Sequence, residues 1–348
     1  MRSPLGRART RLALPTRRFG RLGVTGAFGV AALLVILIIG AVLDLSASRA
    51  GQGRLAAYIE TGMMEPVEAI AAAARTHRII FLADIHGAAG TKRLAADAVE
   101  EIASTVGLDA VVLDIASDAQ AYIDRYIDTS PENTASLLSN PAVLRESSPA
   151  SREFLELYRR IWRINQKLGA DRRISVYAAD APGWPPSDAV SPAAFARRYA
   201  QRDSIMLDVI ERRIFSRNPR ARILIFMGGF HGLKGGRGVL QTGGTAPADV
   251  TWLVTRLQAL HPGEVVTFLT DAAAGRTNDV VAEYIGTWIP EFLGDDLPRR
   301  SFAVRIDDAF DAVADPLIER DRPGLDFEVL PRGYNLRDVA DAWIRIND

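Results

Sequence analysis

The chain has 348 residues with 42 basic and 42 acidic side chains, four histidines and no cysteine, which excludes disulfides and thiolate chemistry. Its net charge of zero is unevenly distributed, because residues 1–21 hold seven arginines and no acidic residue. The rest of the chain therefore carries 35 basic against 42 acidic side chains, and such an acidic body excludes a nucleic-acid-binding protein.

Residues 22–43 form an uncharged apolar run, LGVTGAFGVAALLVILIIGAVL. At about 1.5 Å per residue, a helix of this length reaches roughly 33 Å, enough to cross the hydrocarbon core of a membrane. The preceding arginines then place residues 1–21 in the cytoplasm and the main domain outside it, by the positive-inside rule. A cleaved signal peptide and a buried core helix are the two alternatives, but the long basic segment and the length of the run favour a single-pass anchor in the cell membrane.

We therefore expect four segments. They are a basic cytoplasmic tail at 1–21, a transmembrane anchor at 22–43, a juxtamembrane helix or linker at 44–65, and one α/β domain at 66–348. The last segment is predicted to be a single domain because no low-complexity linker divides it.

The apolar spacing of residues 51–75 predicts a helix that is interrupted near Gly62 and Pro66. Beyond it, short apolar β-branched runs alternate with longer amphipathic stretches. The predicted strands are 78–83, 109–114, 174–179, 221–228, 264–270, 302–306 and 327–330. The predicted helices are 90–106, 117–128, 150–168, 192–215, 249–260 and 336–346. This alternation indicates an α/β fold with a largely parallel sheet, mixed at its edge, and helices on both faces.

Two connections show no regular period. Residues 128–151 have the turn-forming composition of an excursion over the surface. Residues 231–249 contain six glycines and no strand pattern. This second segment could be a mobile lid or a plain connection.

Ligands of an open parallel sheet bind outside the carboxyl ends of its strands. Five predicted strands end in acidic residues or histidine: Asp84 with His86, Asp114, Asp180, His231 and Asp271. Two of these endings are nearly alike, because RIIFLADIHG ends in His86-Gly87 and ILIFMGGFHG ends in His231-Gly232. The repetition predicts two imidazoles at one edge of the sheet. A single aspartate at a strand end is equally typical of a turn, above all Asp271.

Five segments in order carry a family resemblance: FLADIHG, VVLDIAS, ISVYAAD, YAQRDSIMLDVI and ILIFMGGFHG. They resemble the superfamily that joins erythromycin esterases, ChaN-like haem-binding lipoproteins and Tiki membrane metalloproteases. The chain departs from the family pattern where Ala83 replaces a glycine and where Asp84 and Asp114 replace glutamates. A shorter carboxylate changes the reach of the group, and catalytic placement tolerates little of that.

The resemblance implies a hydrolase that acts on an ester, amide or peptide bond of a small molecule or peptide. Its expected catalytic residues are His86, His231, Asp84, Asp114 and Arg202. A neutral histidine would take a proton from water, the aspartates would orient it or bind a metal, and Arg202 would pair with a site carboxylate or stabilise the oxyanion. The expected substrate-binding residues are Asp180, Asp203, Gly228 and Gly229.

Two other functions are compatible with the same residues. The protein could capture haem or another ligand without turnover, since imidazoles also ligate iron, or it could be a degenerate scaffold. His86, His231, Asp84 and Asp114 could also hold manganese, cobalt or zinc. Because these residues lack the helical spacing of an HExxH site, they would have to converge from separate strands, and we expect metal-independent chemistry.

Overall fold

The computed structural model describes residues 49–128, 151–186, 191–235, 238–242, 248–272, 289, 293, 297–313, 318–322, 325–328 and 335–347. The chain divides into two compact units, Met1–Ala50 and Gly51–Asp348. The predicted tail and the predicted anchor at 22–43 lie outside the described residues. Within the described ranges, no helix has both the length and the apolar character needed to cross a membrane.

A seven-stranded sheet lies at the centre of the second unit. Its strands are β1 Ile79–Asp84, β2 Ala110–Ala116, β3 Ser175–Asp180, β4 Ile223–Gly228, β7 Val265–Ala272, β8 Phe302–Arg305 and β11 Ala342–Ile346. The strand order is β3-β2-β4-β1-β7-β11-β8. Neighbouring strands are parallel except at one edge, where β8 runs antiparallel to β11. The predicted α/β fold with a largely parallel sheet is confirmed.

Helices cover both faces of this sheet. They are α1 at 49–62, α2 Pro66–Ala74, α3 Ala89–Thr105, α4 Gln120–Asp128, α5 Ser151–Lys167, α6 Pro192–Val209, α7 Leu253–Leu260 and the short α8 Leu336–Val339. Successive residues of a strand point to opposite faces, so β1 contributes Phe81 to one apolar cluster and Leu82 to the other. Helices α1, α6 and α7 contribute to the first cluster, and helices α2 to α5 contribute to the second.

The predicted break between the first two helices has a local cause. Helix α2 begins with Pro66, whose ring fits the first turn of a helix, and the side chain of Glu65 accepts a hydrogen bond of 2.9 Å from the amide of Glu68. The predicted helix at 192–215 forms as α6, which continues as a π-helical turn over Ile210–Phe215.

The predicted helix at 336–346 is wrong beyond its first turn. Helix α8 ends at Val339, and residues Ala342–Ile346 form the strand β11 between β7 and β8. This segment is rich in aromatic and β-branched residues, and Trp343 and Ile344 are both fully buried on opposite faces. An interior strand with two buried faces loses the alternation that would distinguish it from a helix.

The glycine-rich segment at 231–249 contains strands that its sequence did not predict. Residues Gly238–Thr242 form β5 and residues Ala248–Val250 form β6. These strands belong to a second sheet with the order β6-β5-β10-β9, in which β9 is Ile318–Arg322 and β10 is Leu325–Glu328. The predicted surface excursion at 128–151 lies almost wholly outside the described residues.

Candidate active site

Parallel pairing brings the carboxyl ends of the central strands to one edge of the sheet. In the register of β1 and β4, Asp84 lies opposite Gly228. In the register of β2 and β3, Asp180 lies opposite Ala116, two residues after Asp114. The strand-end aspartates therefore lie at the edge that parallel sheets use for ligands.

Asp84 and His86 form a hydrogen-bonded pair at this edge. The His86 Nδ1 atom lies 3.1 Å from Asp84 Oδ2. The side chain of His86 is 37% exposed and that of Asp84 only 4%, so a buried acid orients an accessible imidazole. An ionised carboxylate only accepts hydrogen bonds, so Nδ1 is the donor, and in the neutral ring Nε2 is then an acceptor.

The other oxygen of Asp84 is held by two residues from the first turn of α3. Thr91 donates its hydroxyl to Oδ1 over 2.7 Å, and Lys92 donates its ammonium to the same atom over 2.8 Å. Burial alone raises the pKa of Asp84, but the Lys92 charge and the hydrogen bonds from His86 and Lys92 lower that pKa well below its usual range. Asp84 is therefore an anion at neutral pH.

Asp114 lies on the other side of the same imidazole. Its Oδ2 atom accepts a hydrogen bond of 2.8 Å from the amide of Gly228 and lies 3.7 Å from His86 Nε2. A Cβ atom at position 228 would be 3.3 Å from His86 Nε2 and 3.6 Å from the Asp114 carboxylate. Glycine at this position therefore allows the backbone to approach both groups closely.

A second acid–histidine pair lies next to the end of β4. His231 Nδ1 is 2.9 Å from Asp203 Oδ1, which also accepts a 2.6 Å hydrogen bond from the amide of Leu253. Both side chains are buried, and Asp203 Oδ2 has no hydrogen-bond partner among the described residues. Gly229, predicted to contact substrate, is buried where the 3-10 turn that carries His231 begins.

The two glycines of the repeated His-Gly ending serve different purposes. Gly87 has a φ of 85°, a left-handed conformation that favours glycine. Gly232 faces the ring of Phe81, and a Cβ atom there would lie 2.3 Å from the nearest ring carbon. The first glycine is needed for a turn, and the second for close packing against β1.

Arg202 pairs with the carboxylate that ends β3. Its Nε atom lies 3.1 Å from both oxygens of Asp180, and its Nη2 atom lies 2.5 Å from Oδ2. The guanidinium also lies over the rings of Trp184 and Tyr199, at 4.2 and 5.2 Å from their centroids. Pairing with a strand-end carboxylate is one of the two roles expected for Arg202, and these donors are directed at Asp180 rather than at an oxyanion.

Asp271 also ends its strand in an ion pair, with Arg345 of β11.

Lys92 and Thr91 were not predicted as site residues. Their sequence signal is weak: a lysine at helical spacing from Ala95, Ala96 and Val99 lies on the buried face of α3, where lysine is uncommon.

The residues at this edge do not fit a metal centre. Within the described part of the chain, no group of three or more histidine, aspartate or glutamate side chains is arranged to hold a metal ion. Asp84 has its Oδ1 atom against the Lys92 ammonium and its Oδ2 atom against His86, and a cation at that carboxylate would be repelled by the lysine.

The fold and the site define an α/β protein with two acid–histidine pairs near the carboxyl edge of a mainly parallel sheet. No protein-family profile and no curated protein matches its sequence at a significant level. Three solved structures share the fold at 10% identity. A succinoglycan biosynthesis protein aligns with a TM-score of 0.56 over 85% of this chain and 96% of its own. A Bacillus cereus protein aligns with a TM-score of 0.52 over 85% and 97%.

The third structure is an erythromycin esterase mutant in its open conformation. It aligns with a TM-score of 0.50 over 81% of this chain and 93% of its own. The predicted resemblance to the erythromycin esterases is therefore confirmed at the level of the fold. At this low identity the structural alignment shows a shared fold only, and the chemistry depends on the residues of the site itself.

Proposed function

We propose that this protein is a hydrolase that cleaves an ester, amide or peptide bond with water activated by His86. The observation that carries the proposal is an accessible imidazole whose Nδ1 atom is held by a buried, ionised Asp84. In the neutral ring the Nε2 atom would then accept a proton from a bound water, as a general base requires. The likeness in fold to an erythromycin esterase supports the proposal as an analogy.

Asp114 would position the attacking water. The gap of 3.7 Å between its Oδ2 atom and His86 Nε2 is too long for a direct hydrogen bond. A water molecule could donate one hydrogen to each of these atoms and be held for attack on a carbonyl carbon. The fixed Gly228 amide keeps the carboxylate in place for this role.

His231 would be the second acid–base group. It lies three positions after Gly228, where an added Cβ atom would be 3.3 Å from His86 Nε2. Asp203 holds its Nδ1 atom, so its Nε2 atom would face the substrate chemistry, as in the first pair. We assign it the relay to the leaving group of the proton that His86 takes from water, so that no proton is gained or lost over the reaction.

The hydrolase would be anchored in the cell membrane by residues 22–43, with its site outside the cytoplasm. The seven arginines at 1–21 and the uncharged run that follows support this arrangement. The substrate would then be an extracytoplasmic small molecule or peptide.

The test is a screen of the full chain in detergent against chromogenic esters, aryl amides and peptides. We expect turnover that falls roughly 100-fold or more in His86→Gln, the contribution of a positioned general base. His77→Gln is the matched control, because His77 contacts Ala73 and Thr76 before β1, at the opposite edge of the sheet. A Soret band after haem addition that is lost in His86→Gln, without any turnover, would instead indicate a haem-binding protein.

A further inference from the structure

The lysine at position 92 is fully buried, which is uncommon for this residue type. Its ammonium lies 2.8 Å from Asp84 Oδ1 and 2.8 Å from the carbonyl oxygen of Ile85. Both acceptors belong to the segment that leads from β1 to His86. The lysine is therefore anchored to the backbone and to the acid that orients the proposed base.

We propose that Lys92 is a positioning residue that fixes the tautomer of His86. This inference rests on the proposed function, because it assigns the residue that keeps Nε2 of the general base free of a proton. Lys92 and Thr91 together saturate Asp84 Oδ1 with donors, so that Oδ2 is the oxygen left for His86. An ionised carboxylate has no proton to donate, and it holds the Nδ1–H form of the ring.

A purely structural lysine would not need this placement. A buried ion pair contributes little net stability compared with well-packed apolar residues, so α3 could bury methionine at this position. The charge instead stabilises an anion at the carboxylate that contacts His86. Without it, Asp84 could take up a proton, donate to the imidazole and allow the Nε2–H form, which cannot accept a proton from water.

The experiment compares Lys92→Met with Arg93→Met in the full chain in detergent. Methionine keeps most of the volume of lysine without its charge, and Arg93 is half exposed at the next position of α3. Long-range nitrogen–proton correlation spectra of labelled histidine report the tautomer of each ring. The chain has only four histidines, and the signal of His86 is identified by its loss in His86→Gln.

We expect the Nδ1–H tautomer of His86 in the wild type and in Arg93→Met, and a mixture or the Nε2–H tautomer in Lys92→Met. An unchanged tautomer in folded Lys92→Met would overturn the proposal and leave Lys92 a structural role. If Lys92→Met does not fold, Thr91→Val removes the other donor to Oδ1 without a charge change, and the same shift is expected to a smaller extent.

Measuring turnover together with the tautomer separates a failure of the positioning role from a failure of the proposed hydrolase activity. With an active substrate, Lys92→Met is expected to lower kcat by about 100-fold with little change in KM, because a misplaced general base impairs the chemical step. If the tautomer shifts but the wild type hydrolyses nothing, the positioning role stands and the hydrolase proposal fails. If turnover is lost while the tautomer is unchanged, the hydrolase stands and the positioning role fails.

Discussion

Four aspartates of the candidate site have the same side chain and different partners. Asp84 contacts Lys92, Thr91 and His86, and Asp114 contacts the Gly228 amide. Asp180 contacts Arg202. Asp203 contacts His231 and the Leu253 amide. These partners determine the chemistry that each carboxylate can support. Asp84 and Asp203 each orient an imidazole, whereas the charge of Asp180 is neutralised by a buried guanidinium.

Asp84 should make the stability of the fold sensitive to acid. Because the pKa of Asp84 is lowered by folding, the unfolded chain takes up a proton near pH 3.9 that the folded protein still excludes. The stabilisation by Asp84 is therefore complete above that pH and is lost as pH falls below it. We expect Asp84→Asn to lower the free energy of unfolding by about 3–5 kcal/mol at pH 7, since it leaves Lys92 buried without its anion.

Urea unfolding at pH 7, 5, 4 and 3.5 checks this prediction. The difference between wild type and Asp84→Asn should shrink as the pH falls from 5 to 3.5. A difference that stays constant or widens over that range would show that folding does not lower the pKa of Asp84.

Gly232 lies where a larger side chain would collide with Phe81. Alanine at this position would place its Cβ atom 2.3 Å from the ring of Phe81, so the ring or the backbone must move. We expect Gly232→Ala to lower the free energy of unfolding by about 1–3 kcal/mol, and Phe81→Leu in the same chain to recover part of it. The control is Gly53→Ala, which meets no atom within 4 Å and should be neutral or slightly stabilising in α1. Equal effects of the two alanines would contradict the packing argument.

At the scale of elements, the sequence predicts those strands whose apolar runs end in turns, and it misplaces those that depend on distant partners. Strands β1 to β4 are bounded by glycine, aspartate or a helix start, and their parallel order follows from the alternation with helices. The strand β11 follows Asp341, but its two buried faces hide the strand period, and it pairs with β7, some 74 residues away in sequence. Among the described residues, the small strands β5 and β10 pair with each other and with their hairpin partners β6 and β9. The predicted strand at 327–330 overlaps β10 by two residues, whereas β5 lies in a glycine-rich segment and was not predicted.

The candidate site also contains residues whose positions the sequence predicts and residues whose positions it does not. The edge positions of Asp84, Asp114 and Asp180 follow from parallel topology, which fixes where strand ends lie. The partners from helices, Lys92 and Arg202, depend on how each helix is rotated against the sheet. Helical spacing predicts a buried face but does not show which charged residue on it will meet which carboxylate.

The position of β11 in the interior of the sheet can be tested by a buried charge. Ile344 is fully buried between β7 and β8, so Ile344→Asp would place an unpaired charge in the core and is expected to unfold the second unit. Arg337→Gln on α8 is the control, because this partly exposed residue contacts Asp311 at 3.1 Å and such pairs contribute at most about 1 kcal/mol. Circular dichroism and thermal melting of the two variants check the difference. A folded Ile344→Asp would mean that this segment is not part of the core.

At the scale of the whole molecule, charge and apolar length predict how the chain is oriented in the cell. The arginines at 1–21 and the uncharged run at 22–43 predict a cytoplasmic N-terminus, and the acidic remainder offers no basic cluster of equal density that would hold it inside. We expect a phosphatase reporter that is active only outside the cytoplasm to be active when fused after Asp348, and a reporter that fluoresces only in the cytoplasm to be dark there. Replacing the seven arginines by glutamine should reduce the phosphatase signal, because the topological signal lies in their charge. An inactive phosphatase on a chain that accumulates normally would contradict the predicted topology and place the candidate site on the other side of the membrane. A phosphatase signal that does not change when the arginines are lost would show instead that their charge does not set the orientation.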